Sequence, residues 1–257
     1  MATIVIVPGS FAPADLYTEF VGVLGKHGLE ALVVDTPSVG RRGKDPATMT
    51  DDADEITRVV LPLIDRGKEV ILVAHSYGGI PTTQSLENLS QTARSAQGKN
   101  GGVKKVIYMT AVILQVGSSN FELFGGNMPD WVSVSVRELP HRKDDYMTVS
   151  AAANAPLTFS DLAEDEALKW ANRMSVHSTP SFRGKLTYPG YNDVEVHYIF
   201  CEEDKIIPPQ FQQAMIEVIK SSSGKEVKVH NLKSGHCPTH SQPDSLANIL
   251  KEVAQGA

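Results

Sequence analysis

Three short stretches carry the residue types that nucleophilic catalysis needs. In Val70-Ile71-Leu72-Val73-Ala74-His75-Ser76-Tyr77-Gly78-Gly79, an aliphatic run with the composition of a buried strand stops at a serine. Small residues, Ala74 and Gly78, stand two positions to either side of it. A strand-to-helix turn that sharp leaves no room for larger side chains there, and it would present the Ser76 hydroxyl above a sheet, at the N-terminal end of the next helix. Ala74 replaces the first glycine of the usual G-x-S-x-G spelling with a single added methyl. The competing reading of Ser76 is a plain helix cap, and the other two stretches decide between them. Cys201-Glu202-Glu203-Asp204-Lys205 offers three carboxylates, and Ser234-Gly235-His236-Cys237-Pro238 offers an imidazole. A serine hydroxyl is a weak nucleophile at neutral pH until a base lies within hydrogen-bond reach. His236 could be that base and then the acid that protonates a leaving alkoxide, with a carboxylate holding its other nitrogen and stabilising the imidazolium.

These loops need a scaffold, and the hydrophobic pattern predicts one. Strands are expected at 3–7, 31–34, 70–75, 103–109, 194–200 and 226–230, with helices at 15–26, 51–65, 77–94, 209–220 and 243–253. Thr50 is read as the cap of the second helix, with Asp51, Asp52, Asp54 and Glu55 as first-turn acids rather than a metal site, and Pro62 should kink that helix or end it early. Alternating strands and helices argue for an α/β fold, a parallel sheet covered on both faces, with ligands bound beyond the carboxyl ends of its strands. The 113–191 stretch differs. Strand signals fade, and Phe121, Phe124, Trp131, Tyr146, Phe159, Trp170, Phe182 and Tyr188 collect there. Ser119 with Glu122 and Asp161 with Glu164 have capping-box spacing, which predicts short helices. The chain is therefore expected to be a single domain, 1–257, with a mostly helical cap at 113–191 whose aromatics form its own small core and jointly roof an apolar pocket.

Composition excludes several function classes. With 257 residues, 41% of them hydrophobic, the chain can bury a sizeable core, and its net charge of -6 leaves no footprint for nucleic acid or an anionic membrane. Arg41, Arg42 and Lys44, Lys104 and Lys105, and Arg142 and Lys143 read as solvated surface. The apolar run at 4–7 follows no basic region and is too short for a signal peptide, and no segment has the length of a bilayer span. Two cysteines, Cys201 and Cys237, are too few for a disulfide framework, so a reducing, cytoplasmic setting is expected. Gly22, Gly25 and Gly28 fall within and at the end of a helix, where they serve packing rather than dinucleotide binding. His236 and His240 have the spacing of a helical metal pair, but Pro238 between them argues against a helix, and adjacent Cys237 and His236 would not face each other. His75 is expected to pack under the serine turn. No metal and no cofactor is expected.

Taken together, Val-Ala-His-Ser-Tyr-Gly-Gly around Ser76, Cys-Glu-Glu-Asp-Lys-Ile-Ile-Pro around Asp204 and Ser-Gly-His-Cys-Pro around His236 resemble the α/β-hydrolase-fold enzymes, over essentially the whole chain. The chain is most similar to the compact branch that includes plant methyl-ester hydrolases and hydroxynitrile lyases. The resemblance favours Asp204 over Glu202 and Glu203 as the third member of a Ser76–His236–Asp204 triad. The loop after Met109, the other place where this fold can supply the acid, has no carboxylate before Glu122. It implies an oxyanion hole from the backbone N–H groups of Tyr77 and Phe11, with a hydroxyl from Ser10 as a further option. Ser10, Phe121, Phe124, Trp131 and His177 are the expected substrate contacts. The implied reaction is cofactor-free hydrolysis of a carboxylic ester or lactone of a small apolar molecule through an acyl-enzyme. One alternative is a lyase or other non-hydrolytic reaction on the same triad, although hydroxynitrile lyases place a lysine directly after the catalytic histidine, where this chain has Cys237. Another is a receptor-like binding protein on the same scaffold. The partner expected is a small-molecule substrate, without nucleic acid or membrane; no motif reports oligomeric state or substrate identity.

Overall fold

A computed structural model describes residues 2–43, 45–139 and 142–256, with the side chains of 137–143 left aside; Lys44 and the side chains of Arg142 and Lys143 thus lie outside the described residues. The strands are β1 (Thr3–Val7), β2 (Glu30–Val33), β3 (Val70–His75), β4 (Lys105–Met109), β5 (Val132–Leu139), β6 (Arg142–Val149), β7 (His177–Ser178), β8 (Glu195–Cys201) and β9 (Lys228–Leu232). Six of them form one sheet in the order β2-β1-β3-β4-β8-β9, every pairing parallel. The aliphatic runs suit this sheet because helices cover both faces, leaving no solvent side to demand polar residues. Val5, Leu72, Val106 and Tyr198 pack with Ile56, Leu86 and Ile216 from helices Met49–Asp65, Gly79–Leu89 and Pro209–Ser223. Their strand neighbours Ile4, Ile71, Ile107 and Ile199 pack with Phe20 and Leu250 from Thr18–Lys26 and Pro243–Gln255 on the other face. The chain steps from β1 outward to β2 and then crosses back to β3, so the winding reverses between β1 and β3. Ligand crevices in such sheets open at that point, beyond the strands' carboxyl ends.

Local chemistry moves several boundaries. The cap of helix Met49–Asp65 is Thr48, not Thr50: Asp51 N–H donates to Thr48 Oγ1 at 3.3 Å, and Thr48 N–H donates to the Asp51 carboxylate at 2.7 Å. The helix continues past Pro62 to Asp65. The expected helix at 77–94 is instead a 3-10 turn, Ser76–Gly78, then Gly79–Leu89 and Gln91–Ala96, broken at Ser90, whose extended backbone lets its hydroxyl cap the second piece.

The 113–191 stretch is not mostly helical. Helices Asn120–Leu123, Ala151–Thr158, Glu164–Ala171 and Thr179–Arg183 accompany an antiparallel sheet, β5-β6-β7. Within β5, Val132-Ser133-Val134-Ser135-Val136 alternates as a strand does, yet Val134 and Val136 are exposed. Asp144 and Asp145 of β6 are buried instead, paired with Arg41 and, at 3.1 Å, with Arg183. Arg41 is therefore an anchor rather than solvated surface. The Ser119–Glu122 capping box forms, whereas helix Glu164–Ala171 starts from Ala163 without a side-chain cap. Asp161 accepts from Gly235 N–H at 2.7 Å, holding the loop that leads into His236. Among the described residues, no helix is long and apolar enough to cross a membrane.

Candidate active site

Five strands of the large sheet deliver loops to the same end. Among the described residues, the non-glycine positions with left-handed backbone are Phe11 (φ 62°), Ser76 (φ 53°) and Thr110 (φ 36°), which follow β1, β3 and β4. Strain of this kind persists where surrounding structure over-determines it. Around Ser76 the surroundings are tight. A Cβ on Gly78 would stand 2.6 Å from the Pro8 carbonyl oxygen, one on Gly79 2.4 Å from that of Val112, and Val112 N–H donates to Ser76 O at 2.9 Å.

His236 and Asp204 meet from the loops after β9 and β8. The Nδ1–H of His236 donates to Asp204 Oδ2 at 2.7 Å, which leaves Nε2 as the imidazole's free acceptor. Asp204 also accepts from Thr110 Oγ1 and, on Oδ1, from the N–H groups of Ile206 and Ile207 at 2.7 and 2.9 Å. Burial alone would raise its pKa, but the His236 charge and the donated hydrogen bonds outweigh that penalty and hold the carboxyl below its ordinary range. Thr110 went unnoticed in the sequence because a single threonine after a strand carries no pattern. Ser76 and His236 line one cavity, without a hydrogen bond between them among the described residues. Such contacts are often long in ligand-free enzymes and tighten when substrate binds.

Two buried histidines fix the loops. His75 Nε2 lies 2.8 Å from the His236 carbonyl, which can only accept, so Nε2 carries the proton. His75 Nδ1 then accepts from Tyr17 OH at 2.7 Å, and Tyr17 OH accepts from Gly9 N–H at 3.1 Å. This relay ties the loop after β1 to the His236 backbone; burial, then the neighbouring His236, push the His75 pKa down to about 3. His177 works similarly. Phe11 N–H donates to His177 Nδ1 at 3.2 Å, and His177 Nε2–H donates at 2.9 Å to Ser181 Oγ, which itself donates to the Ser178 carbonyl. Burial lowers the His177 pKa to about 3.

That contact corrects the expected oxyanion hole. Phe11 N–H is already engaged, whereas the N–H groups of Ser10 and Tyr77 have no partner among the described residues. Two expected substrate contacts also move. The cavity, about 270 Å³, is lined by Ser10, Phe124 and Trp131 but not by Phe121 or His177. The Arg183 guanidinium stands 6.0 Å from the Phe121 ring, and His177 is enclosed between Phe11, Tyr77 and Phe182. Sequence reading missed Asn120 on the cavity wall, and it missed Asp52, which is fully buried and accepts from Ser38 N–H at 2.9 Å and Tyr77 OH at 2.7 Å.

Among the described residues, neither a cysteine nucleophile nor a His236–His240 pair finds a supporting arrangement. Burial pushes the Cys201 thiol up to about 12 and the Cys237 thiol well above its usual value, so neither supplies thiolate near neutrality. His240 packs edge-on against Phe159 and Trp170, at ring-centroid separations of 5.3 and 4.4 Å, while His236 pairs with Asp204.

Known proteins share this arrangement of the chain. The model of the "Alpha/beta hydrolase family" matches residues 4–249. "Probable hydrolase R7" from a Phoma species is 38% identical over 98% of this chain and 97% of its own length, and "Methyl jasmonate esterase 1" of Vitis vinifera is 27% identical over 98% and 96%. Among solved structures, polyneuridine aldehyde esterase superposes with a TM-score of 0.76 over 99% of both chains at 22% identity. Tomato methylketone synthase I superposes with a TM-score of 0.74 over 99% and 98% at 13% identity, a likeness of fold alone. From its strand order, its strained serine turn and the extent of these matches, the chain belongs to the alpha/beta hydrolase family.

Proposed function

We propose that the protein hydrolyses a carboxylic ester or lactone of a small, largely apolar molecule through an acyl-enzyme on Ser76. The observation that carries this reading is the pairing of His236 Nδ1 with Asp204 at 2.7 Å beside a cavity that His236 shares with Ser76. In the first half-reaction His236 Nε2 takes the Ser76 proton as Oγ attacks the ester carbonyl, and the developing imidazolium is stabilised by Asp204. The oxyanion is met by the N–H groups of Ser10 and Tyr77. Collapse of the tetrahedral intermediate passes the His236 proton to the leaving alkoxide; water then repeats the sequence on the acyl-enzyme and frees Ser76.

The cavity supports the substrate class. Its walls are dominated by aromatic and aliphatic side chains such as Phe124, Trp131, Phe182 and Ile207, and about 270 Å³ suits a small guest. Residues 113–191 supply the roof and act as a cap within a single domain. The esterase names of two relatives point the same way, and Cys237 in place of a lysine after His236 favours hydrolysis over lyase chemistry. Turnover of p-nitrophenyl acetate and butyrate, with labelling of Ser76 by a fluorophosphonate, tests the proposal. Both should vanish in Ser76→Ala; labelling elsewhere, or turnover that survives the substitution, would overturn it.

A further inference from the structure

Most polar side chains on the cavity wall already have partners. Tyr17 OH is taken up by Gly9 and His75, and Asn154 is bonded through both ends of its amide, accepting from Thr158 Oγ1 at 2.8 Å and donating to Met174 Sδ at 2.8 Å. Asn120 differs. It is 2% exposed, it lines the cavity, and neither end of its amide has a hydrogen-bond partner among the described residues. Oδ1 is enclosed by protein, so Nδ2 is the end that the cavity can reach. A buried amide left unpaired weakens a fold, and native structures rarely carry one without a use.

The support around Asn120 is rigid. It opens helix Asn120–Leu123, fixed by the reciprocal bonds of Ser119 and Glu122. The residue after that helix, Phe124, stacks on Phe182 at 6.5 Å between ring centroids, and Phe182 stacks on Tyr77 at 5.4 Å. The amide is thus mounted on an aromatic column that ends at the residue following Ser76.

We propose that Asn120 is a specificity-determining residue whose amide binds a carbonyl or hydroxyl oxygen that the otherwise apolar substrate carries apart from its scissile ester. The inference rests on the ester-hydrolase reading above. An oxygen accepts from Nδ2–H; should the amide turn over, a hydroxyl donates to Oδ1. An unadorned alkyl ester fills the cavity but leaves the amide unpaired, and sites built around a polar group discriminate strongly against analogues that lack its partner.

Two matched series test this: methyl hexanoate against methyl 3-, 4- and 5-oxohexanoate, and hexyl butyrate against butyrates of the corresponding oxohexanols. In the wild type, kcat/KM for at least one oxo ester should exceed that of its parent by about tenfold or more, and Asn120→Leu should bring that ratio near one. A ratio near one in the wild type, or the same ratio in both proteins, would overturn the assignment. Ligand-free Asn120→Leu should melt no lower than the wild type, since the substitution removes an unpaired polar group; a Tm several degrees lower would instead make the amide a structural element and also overturn it. Calorimetric binding of the same pairs to Ser76→Ala and to Ser76→Ala/Asn120→Leu separates the two readings. An oxo preference in binding that depends on Asn120, without turnover by the wild type, sinks the hydrolase and keeps the recognition; turnover without the preference does the reverse.

Discussion

Asp204 and Asp52 are both buried acids that touch the residues around Ser76, one through His236 and the other through Tyr77. Their protonation behaviour is opposite. Asp204 faces a potential imidazolium and accepts four hydrogen bonds, and its pKa lies below the ordinary range. Asp52 accepts from Ser38 N–H and Tyr77 OH, both neutral donors, while burial and then, more weakly, the like charge of Asp51 act against its anion; its pKa is raised to about 6. Burial penalises both carboxylates, and the number and charge of donors decide which way each pKa moves. One acid is equipped to hold an imidazolium. The other is a latch joining a helix start, the loop at Ser38 and the serine turn.

The comparison can be broken most directly by exchanging each acid for its amide. Asp204→Asn should lower kcat for p-nitrophenyl butyrate by about 10⁴-fold, through the wrong imidazole tautomer, whereas Asp52→Asn should change it by less than about fivefold. Equal losses would remove the distinction. Thr110→Val deletes one donor from Asp204 and should reduce kcat/KM by about tenfold, moving the acid limb of its pH profile upward because the anion is less well held; an unmoved limb would mean that Thr110 does not tune the acid.

Asp52 makes a prediction in stability rather than rate. Its folded pKa of about 6 lies above the ordinary 3.8, so the folded state holds the proton more tightly. The contribution is complete below the unfolded pKa and is lost as pH rises from about 4 through 6. Denaturant melts at pH 4, 5, 6 and 7 should therefore show Asp52→Asn gaining on the wild type across that window, by on the order of 2 kcal/mol. The buried neutral histidines His75, His177 and His240, with pKa values lowered to about 3, 3 and 4, act in the opposite sense, losing stability as pH falls below their unfolded value. They are common to both proteins and cancel in the difference. The smallest effect is expected of Tyr77→Phe, which takes one donor from Asp52 and should destabilise the protein at pH 7 by about 1 kcal/mol.

Elements that depend on local pattern were legible early. β1, β3, β4 and β8 are apolar runs because both faces of the sheet are covered, and the small residues around Ser76 follow from the approach of the Pro8 and Val112 carbonyls. β5 and β6 were not legible as buried strands, since Val134 and Val136 are exposed while Asp144 and Asp145 are buried. That inversion is stable only because Arg41 and Arg183 arrive from 103 and 38 residues away. Phe11 shows the same limit within the candidate site: its N–H, the expected oxyanion donor, is claimed by a histidine 166 positions along the chain, and the Ser10 N–H is proposed in its place.

The amino-acid order by itself determined the layered sheet and the strand ends at which Ser76, Asp204 and His236 emerge, because strand propensity and tight turns are written in neighbouring residues. Only the tertiary structure decided which donors meet which acceptors: Thr110 on Asp204, His177 on Phe11, Tyr77 on Asp52, and nothing within the described protein on Asn120. A hydrogen bond acts over about 3 Å, and groups distant in sequence come that close only when the whole core has set their positions.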